Sequence, residues 1–263
     1  MRYSPQMLDR KHLKSGCPEK SGKPDFIGLG TPKAGTSWWY QLLVEHPKIK
    51  DNDFRVKETC YFCHPWDNDE NNAALAHYET GFGSATDALV GEWSTLYFSH
   101  PFALERVIES YPNAKKLVAF REPVSCLKSW VSQIMRNRAS KMLHDDEESR
   151  QMYWLYDLLP SLYTQIMNYP DKLRWLMEKE GDNLLVLQYE ANQTATQRQL
   201  DKTLTFLEQD SFEPPSLSKR INAAGNNDFS ELTLPAHVER DLRRCGRALL
   251  SLCNDFDPAL WEG

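Results

Sequence analysis

One succession constrains this chain more than any other. The apolar run Phe26-Ile-Gly-Leu leads straight into Gly28-Leu-Gly30-Thr31-Pro32-Lys33-Ala34-Gly35-Thr36-Ser37-Trp38, and the helix-like Trp38-Trp39-Tyr-Gln-Leu42-Leu43 follows. A buried-type strand, a glycine-bearing turn and a helix start thus stand in line. In such a unit the turn's N–H groups converge, and the helix N-terminus adds partial positive charge. Lys33 contributes a full charge. The hydroxyls of Thr36 and Ser37 fall where first-turn donors reach an oxyanion. The unit predicts a phosphate cradle at the end of a strand in an α/β fold.

The kind of phosphate follows from where the lysine sits. A P-loop NTPase reads G-x-x-x-x-G-K-[ST]. Gly30 to Ser37 has that frame, but Thr36 stands at the lysine position and the lysine is three places upstream, at Lys33. Pro32, Lys33, Ala34, Gly35, Thr36, Ser37 and Trp38 together resemble the P-K-x-G-T-[ST]-W loop of the sulfotransferase family. That resemblance implies binding of the 5′-phosphosulfate of 3′-phosphoadenosine 5′-phosphosulfate (PAPS). It also implies a P-loop-like sulfotransferase fold.

A second motif lies downstream. Lys115-Lys-Leu-Val-Ala-Phe120 reads as a short buried strand and ends in Arg121-Glu-Pro123. Pro123 suits a first helical turn. Apolar residues then recur at Val124, Leu127, Trp130, Val131 and Ile134, near helical spacing, while Ser125, Ser129 and Gln133 form a polar stripe. Arg121 at the strand end and Ser129 two turns into the helix can converge on one anion. They resemble the family's 3′-phosphate site, R-x-P with a serine eight residues after the arginine. No acidic residue closes the Leu117–Phe120 stretch, so a magnesium ligand of the Walker-B kind is missing there. The resemblance therefore implies PAPS as co-substrate, adenosine 3′,5′-bisphosphate as product, and no metal.

Strands alternating with helices predict a mostly parallel central sheet flanked by helices, with ligands at the strands' C-terminal ends. Further elements are expected at Ile49–Phe54, Ala88–Glu92, Pro101–Ser110, Tyr153–Met167, Asp171–Glu180, Asn183–Glu190 and Thr194–Leu207. Residues 1–24 read as a polar N-terminal extension and 25–263 as a single domain of this type. The chain lacks an ~18-residue apolar span and an apolar N-terminal core, so a cytoplasmic protein without membrane contact is expected. Its net charge of −6 argues against a nucleic-acid partner. Six scattered cysteines do not make a disulfide framework in a chain of 263 residues. Cys60-Tyr-Phe-Cys63-His64 spells a haem-attachment motif, but no export segment accompanies it and no second C-x-x-C completes a zinc site. The oligomeric state is open.

Transfer to an acceptor also needs a base. Lys57-Glu58-Thr-Cys-Tyr61-Phe62 resembles the E-x-x-F-F segment of the family's glycosaminoglycan-type branch, which implies Glu58 as base. Glu92-Trp-Ser94-Thr-Leu-Tyr97-Phe98 resembles that branch's E-K-[TS]-x-x-Y-F, with Trp93 in place of the lysine. The cytosolic branch uses a histidine instead, so His64 and His100 stay open as alternatives. Trp38 matches a family tryptophan that stacks on adenine; plain core packing is its other reading. Lys219 and Arg220 fall, by order, where the family folds a basic loop over the nucleotide. The expectation is a PAPS-dependent sulfotransferase acting on a hydroxyl, or an amine, of a small molecule or saccharide. A P-loop kinase and a non-catalytic nucleotide-binding module are the competing readings.

Overall fold

A computed structural model describes residues 21–64, 75–83, 87–139, 157–218 and 232–261. The predicted extension at 1–24 and the charged stretch Arg138–Arg150 lie largely outside these residues.

Five strands form one all-parallel sheet: β1 (Phe26–Gly30), β2 (Ile49–Lys50), β3 (Leu89–Trp93), β4 (Lys115–Phe120) and β5 (Leu184–Gln188). Their spatial order is β2-β3-β1-β4-β5. The expected α/β architecture is therefore met. Residues of β4 show why it sits inside. Leu117 and Ala119 face one apolar layer, while Val118 and Phe120 face the other. Both faces of a parallel strand are covered, so the run is continuously apolar and still alternates by side.

One layer holds helix α1 (Thr36–Val44), whose Trp39, Leu42 and Leu43 meet Leu200 and Leu204 of a later helix, α7 (Thr196–Phe206). The other layer holds α2 (Ala103–Ser110), α3 (Pro123–Ala139), α4 (Leu159–Met167), α5 (Tyr169–Glu180) and α8 (Ala236–Leu252). Leu127, Leu162, Leu173 and Leu242 from four of them join one core cluster. The short α6 (Tyr189–Thr194) leaves β5 directly.

Three sequence expectations shift at their edges. The Ile49 element is a strand only to Lys50, because Asn52 closes a turn: its side-chain amide donates to the Val56 carbonyl at 2.9 Å. The strand expected to run to Glu190 ends at Gln188, and the chain turns helical at once. The Thr194–Leu207 helix is interrupted at Ala195, where Thr194 Oγ1 bonds back to the Glu190 carbonyl at 3.1 Å.

Gly28 shows how tightly the centre is built. It pairs in register with Trp93, and a Cβ at position 28 would lie 2.1 Å from the indole Cγ. Trp93 is fully buried and donates from Nε1 to the Gly30 carbonyl at 3.1 Å, so it has nowhere to go. Gly28→Ala is expected to destabilise the fold by at least ~2 kcal/mol, the scale of core overpacking. A denaturant titration checks this, and an unchanged midpoint would contradict the packing account.

Candidate active site

In the order β2-β3-β1-β4-β5, the connection from β1 leaves toward β2 and the one from β4 leaves toward β5. Two neighbouring strands whose connections diverge open a crevice at their C-terminal ends. The two sequence motifs sit there. The loop after β1 is stapled to the end of β4. Thr31 donates to the Ala119 carbonyl from its N–H at 2.9 Å and from Oγ1 at 2.8 Å. Cys126 Sγ donates to the Pro32 carbonyl at 3.4 Å, and Arg121 Nη1 to the Lys33 carbonyl at 3.4 Å. Lys33 itself adopts a left-handed φ of 68°.

Helix α1 begins after Gly35, whose φ of 71° lies in the left-handed region that favours glycine. No side chain caps this N-terminus, and its first turn carries no acid. Its leading N–H groups thus suit an anion. A Cβ at Gly35 would meet the Tyr189 ring at 2.6 Å, so the glycine also admits that ring against the loop. Thr36 is buried and Ser37 half-buried, while Pro32 and Ala34 are buried. Trp38 is 5% exposed and packs edge-on against Trp39, in the core layer under α1.

The start of α3 differs. Glu122 accepts from the Val124 and Ser125 N–H groups at 2.9 and 2.7 Å, so this helix end is already capped by a carboxylate. An anion beside Arg121 must be held by side chains. The Arg121 guanidinium lies 4.9 Å from the Tyr189 ring centre, and its buried Nε has no hydrogen-bond partner. A cavity of about 400 Å³ opens there, lined by Arg121, Ser125, Lys128, Tyr189, Gln193 and Arg243 together with the carboxylates Glu122, Glu190 and Glu239. Ser129 is half-buried on α3, one turn beyond Ser125. Lys128 and Tyr189 were not among the sequence candidates. Tyr189 opens α6 directly after β5, and its place near the end of an evident strand is its one signal in the sequence. Lys219 and Arg220 lie outside the described residues.

Glu58 is brought to the same end of the sheet from the segment after β2. Its Oε1 accepts from Lys57 Nζ at 2.7 Å and its Oε2 from Thr95 Oγ1 at 2.9 Å. Lys57 Nζ also donates to Thr36 Oγ1 at 3.2 Å. A continuous chain of contacts therefore runs from the loop's helix, through Lys57, to Glu58 and Thr95.

Beneath this chain lies a buried carboxylate that sequence reading did not single out as a scaffold. Glu92 Oε1 accepts from Tyr78 and Tyr97 hydroxyls at 2.9 and 2.7 Å. Its Oε2 accepts from Ser94 Oγ at 2.6 Å and from the Thr59 N–H at 3.3 Å. Ser94 Oγ accepts in turn from the Cys60 N–H at 2.9 Å. Burial raises the Glu92 carboxyl above the usual carboxylate range, against the opposing pull of these donors. The network fastens the segment carrying Glu58 to the end of β3. Trp93, at the position of the lysine in the resembled pattern, is committed to the core instead.

His64 and His100 lie to one side. Burial, then Arg106, lowers His64; burial, then Lys172, Arg106 and His64, lowers His100. Both imidazoles are thereby held toward the neutral form. Arg106 Nη1 donates to the carbonyls of Phe62 and His64. Cys60 precedes a 3₁₀ turn that Cys63 ends, and both are free thiols. Among the described residues no group of three or more His, Cys, Asp or Glu is arranged to hold a metal ion.

Comparison with known proteins joins this geometry to a family. Residues 23–232 match the family described as the sulfotransferase domain. The chain belongs to the sulfotransferase domain family. Over 118 residues it is 32% identical to the membrane-associated sulfotransferase kil1 of Dictyostelium discoideum, a match spanning 43% of this chain and 24% of that protein. The chain thus covers about a quarter of the length of this curated relative. The fold is also that of solved sulfotransferases. One from Alicyclobacillus acidocaldarius superposes with a TM-score of 0.61 at 20% identity, covering 91% of this chain and 99% of that one. One from Mycobacterium avium gives 0.61 at 11% identity, covering 95% and 80%. Among the described residues no helix of this sulfotransferase domain is long and apolar enough to cross a membrane.

Proposed function

We propose that this chain is a PAPS-dependent sulfotransferase that moves a sulfuryl group to a hydroxyl, or an amine, of a small molecule or saccharide. One observation carries the reading: the uncapped N-terminus of α1, Arg121 and Glu58 converge at the C-terminal ends of β1, β3 and β4. The backbone of residues 33–36, with the Thr36 and Ser37 hydroxyls, holds the 5′-phosphate. Arg121 and Ser129 hold the 3′-phosphate. Glu58 takes the acceptor's proton as the acceptor atom attacks sulfur. The S–O bond to the 5′-phosphate breaks in line with that attack, and Lys33 stabilises the charge that develops on the leaving oxygen. The transferring group carries less charge than a phosphoryl group, so Lys33 and backbone dipoles suffice. The described cysteines are all free thiols, which supports a reducing compartment such as the cytoplasm.

Calorimetry with adenosine 3′,5′-bisphosphate, 5′-AMP and Mg²⁺-ATP tests this reading. Losing charge-assisted hydrogen bonds to the 3′-phosphate costs on the order of 2–4 kcal/mol, so the bisphosphate is expected to bind at least ~30-fold tighter than 5′-AMP. Arg121→Ala is expected to remove most of that advantage and leave 5′-AMP binding nearly unchanged. Equal affinities would end the 3′-site assignment. Turnover of PAPS is expected to survive EDTA; loss of activity with recovery on adding Mg²⁺ would favour the kinase reading.

A further inference from the structure

Lys57 joins two parts of the site that arrive from different places in the chain. Its Nζ lies 3.2 Å from Thr36 Oγ1, in the first turn of α1, and 2.7 Å from Glu58 Oε1. The side chain is only 12% exposed and Glu58 20%, so the pair sits in poorly screened surroundings. An ammonium donates and cannot accept. Thr36 Oγ1 must therefore accept from Lys57, and its own O–H proton is left for another partner. Glu58 is fixed on both oxygens, by Lys57 and by Thr95.

A carboxylate placed this close to an anion cradle poses an electrostatic problem. Like charges a few ångströms apart in a partly buried site repel strongly. The same carboxylate that would accept the acceptor's proton would also oppose the donor nucleotide. A cation between them removes the conflict, and Lys57 occupies that place. Resting on the reading of this crevice as a PAPS site, we propose that Lys57 is a positioning residue. It bridges Glu58 to Thr36, orients the Thr36 hydroxyl toward the donor, and shields the nucleotide from the Glu58 charge.

The test is a double-mutant cycle on the full chain, read as affinity for adenosine 3′,5′-bisphosphate. Lys57→Met leaves Glu58 uncompensated and is expected to weaken binding about tenfold, a typical coupling for groups in contact. Lys57→Met combined with Glu58→Gln removes the repelling charge and is expected to return the affinity to within ~3-fold of Glu58→Gln alone. Lys57→Arg keeps the charge and is expected to stay near wild type in binding. A merely structural lysine would not show rescue by removing a second charge. If the double variant binds as weakly as Lys57→Met, Lys57 contacts the nucleotide directly and the shielding role is wrong. If Lys57→Met binds like wild type, the bridge has no function. Lys57→Gln serves the same cycle should Lys57→Met not fold. Failure of the wild-type chain to bind the bisphosphate at all would instead overturn the PAPS reading itself.

Discussion

Glu58→Gln is expected to lower turnover of PAPS by roughly 10²–10⁴-fold, the range associated with losing a general base. The amide keeps the shape of the carboxylate and can still accept from Thr95, which donates at 2.9 Å. It cannot take up a proton from the acceptor. Binding of adenosine 3′,5′-bisphosphate is expected to stay within ~3-fold of wild type, because the proposed reading places Lys57, which bonds both Thr36 and Glu58, between Glu58 and the nucleotide. This split between turnover and binding is the signature to look for. The informative controls are His64→Ala and His100→Ala. Both imidazoles are held toward the neutral form by burial and by nearby cations, so either is electrically able to accept a proton. Glu58 reaches Thr36 of the loop's helix through one intervening side chain, Lys57. Normal turnover in Glu58→Gln, beside a dead histidine variant, would show that the base belongs to the histidine type.

Lys33→Ala is expected to lower turnover by at least ~100-fold, the scale of one lost electrostatic stabiliser in an acyl- or group-transfer site. Lys33 stands in the loop whose carbonyl at that residue accepts from Arg121 Nη1 at 3.4 Å. Its backbone thus joins the two anion motifs. On the proposed reading the side-chain charge also touches the nucleotide, so binding of adenosine 3′,5′-bisphosphate is expected to weaken as well. The backbone at residue 33 is left-handed, with φ 68°, for lysine in the native chain. Alanine meets the same steric limits there, so stability is expected to change little. Thermal unfolding of Lys33→Ala separates the two effects. An unchanged midpoint with collapsed turnover fits a charge that acts on the transferring group. Turnover within a few-fold of wild type would remove Lys33 from the chemistry.

Local chemistry made half of this protein legible from its residues. The strand–turn–helix at Phe26–Val44 and the strand–Arg–Pro–helix at Lys115–Ala139 are short-range objects. Their signals are an apolar run, a glycine where φ is positive, and a proline in a first helical turn. The element types were readable for the same reason, and their edges failed where a side chain competed with the backbone, as at Asn52 and Thr194. The acceptor-side arrangement was not readable in this way. Glu58 could be named by resemblance, but its tie to Thr36 runs through Lys57, and its support by Thr95 comes from beyond β3. The cavity beside Arg121 depends on Tyr189, which arrives from the end of β5. Trp93 carried the appearance of a lost lysine, and only the packing of β1 against β3 shows it filling the space that Gly28 leaves. The chain's own order thus determined which strands and helices form and where two anion-binding motifs lie. The strand order β2-β3-β1-β4-β5 decided which of those motifs become neighbours, because sheet pairing is set by burial of both faces at once and not by any local run of residues.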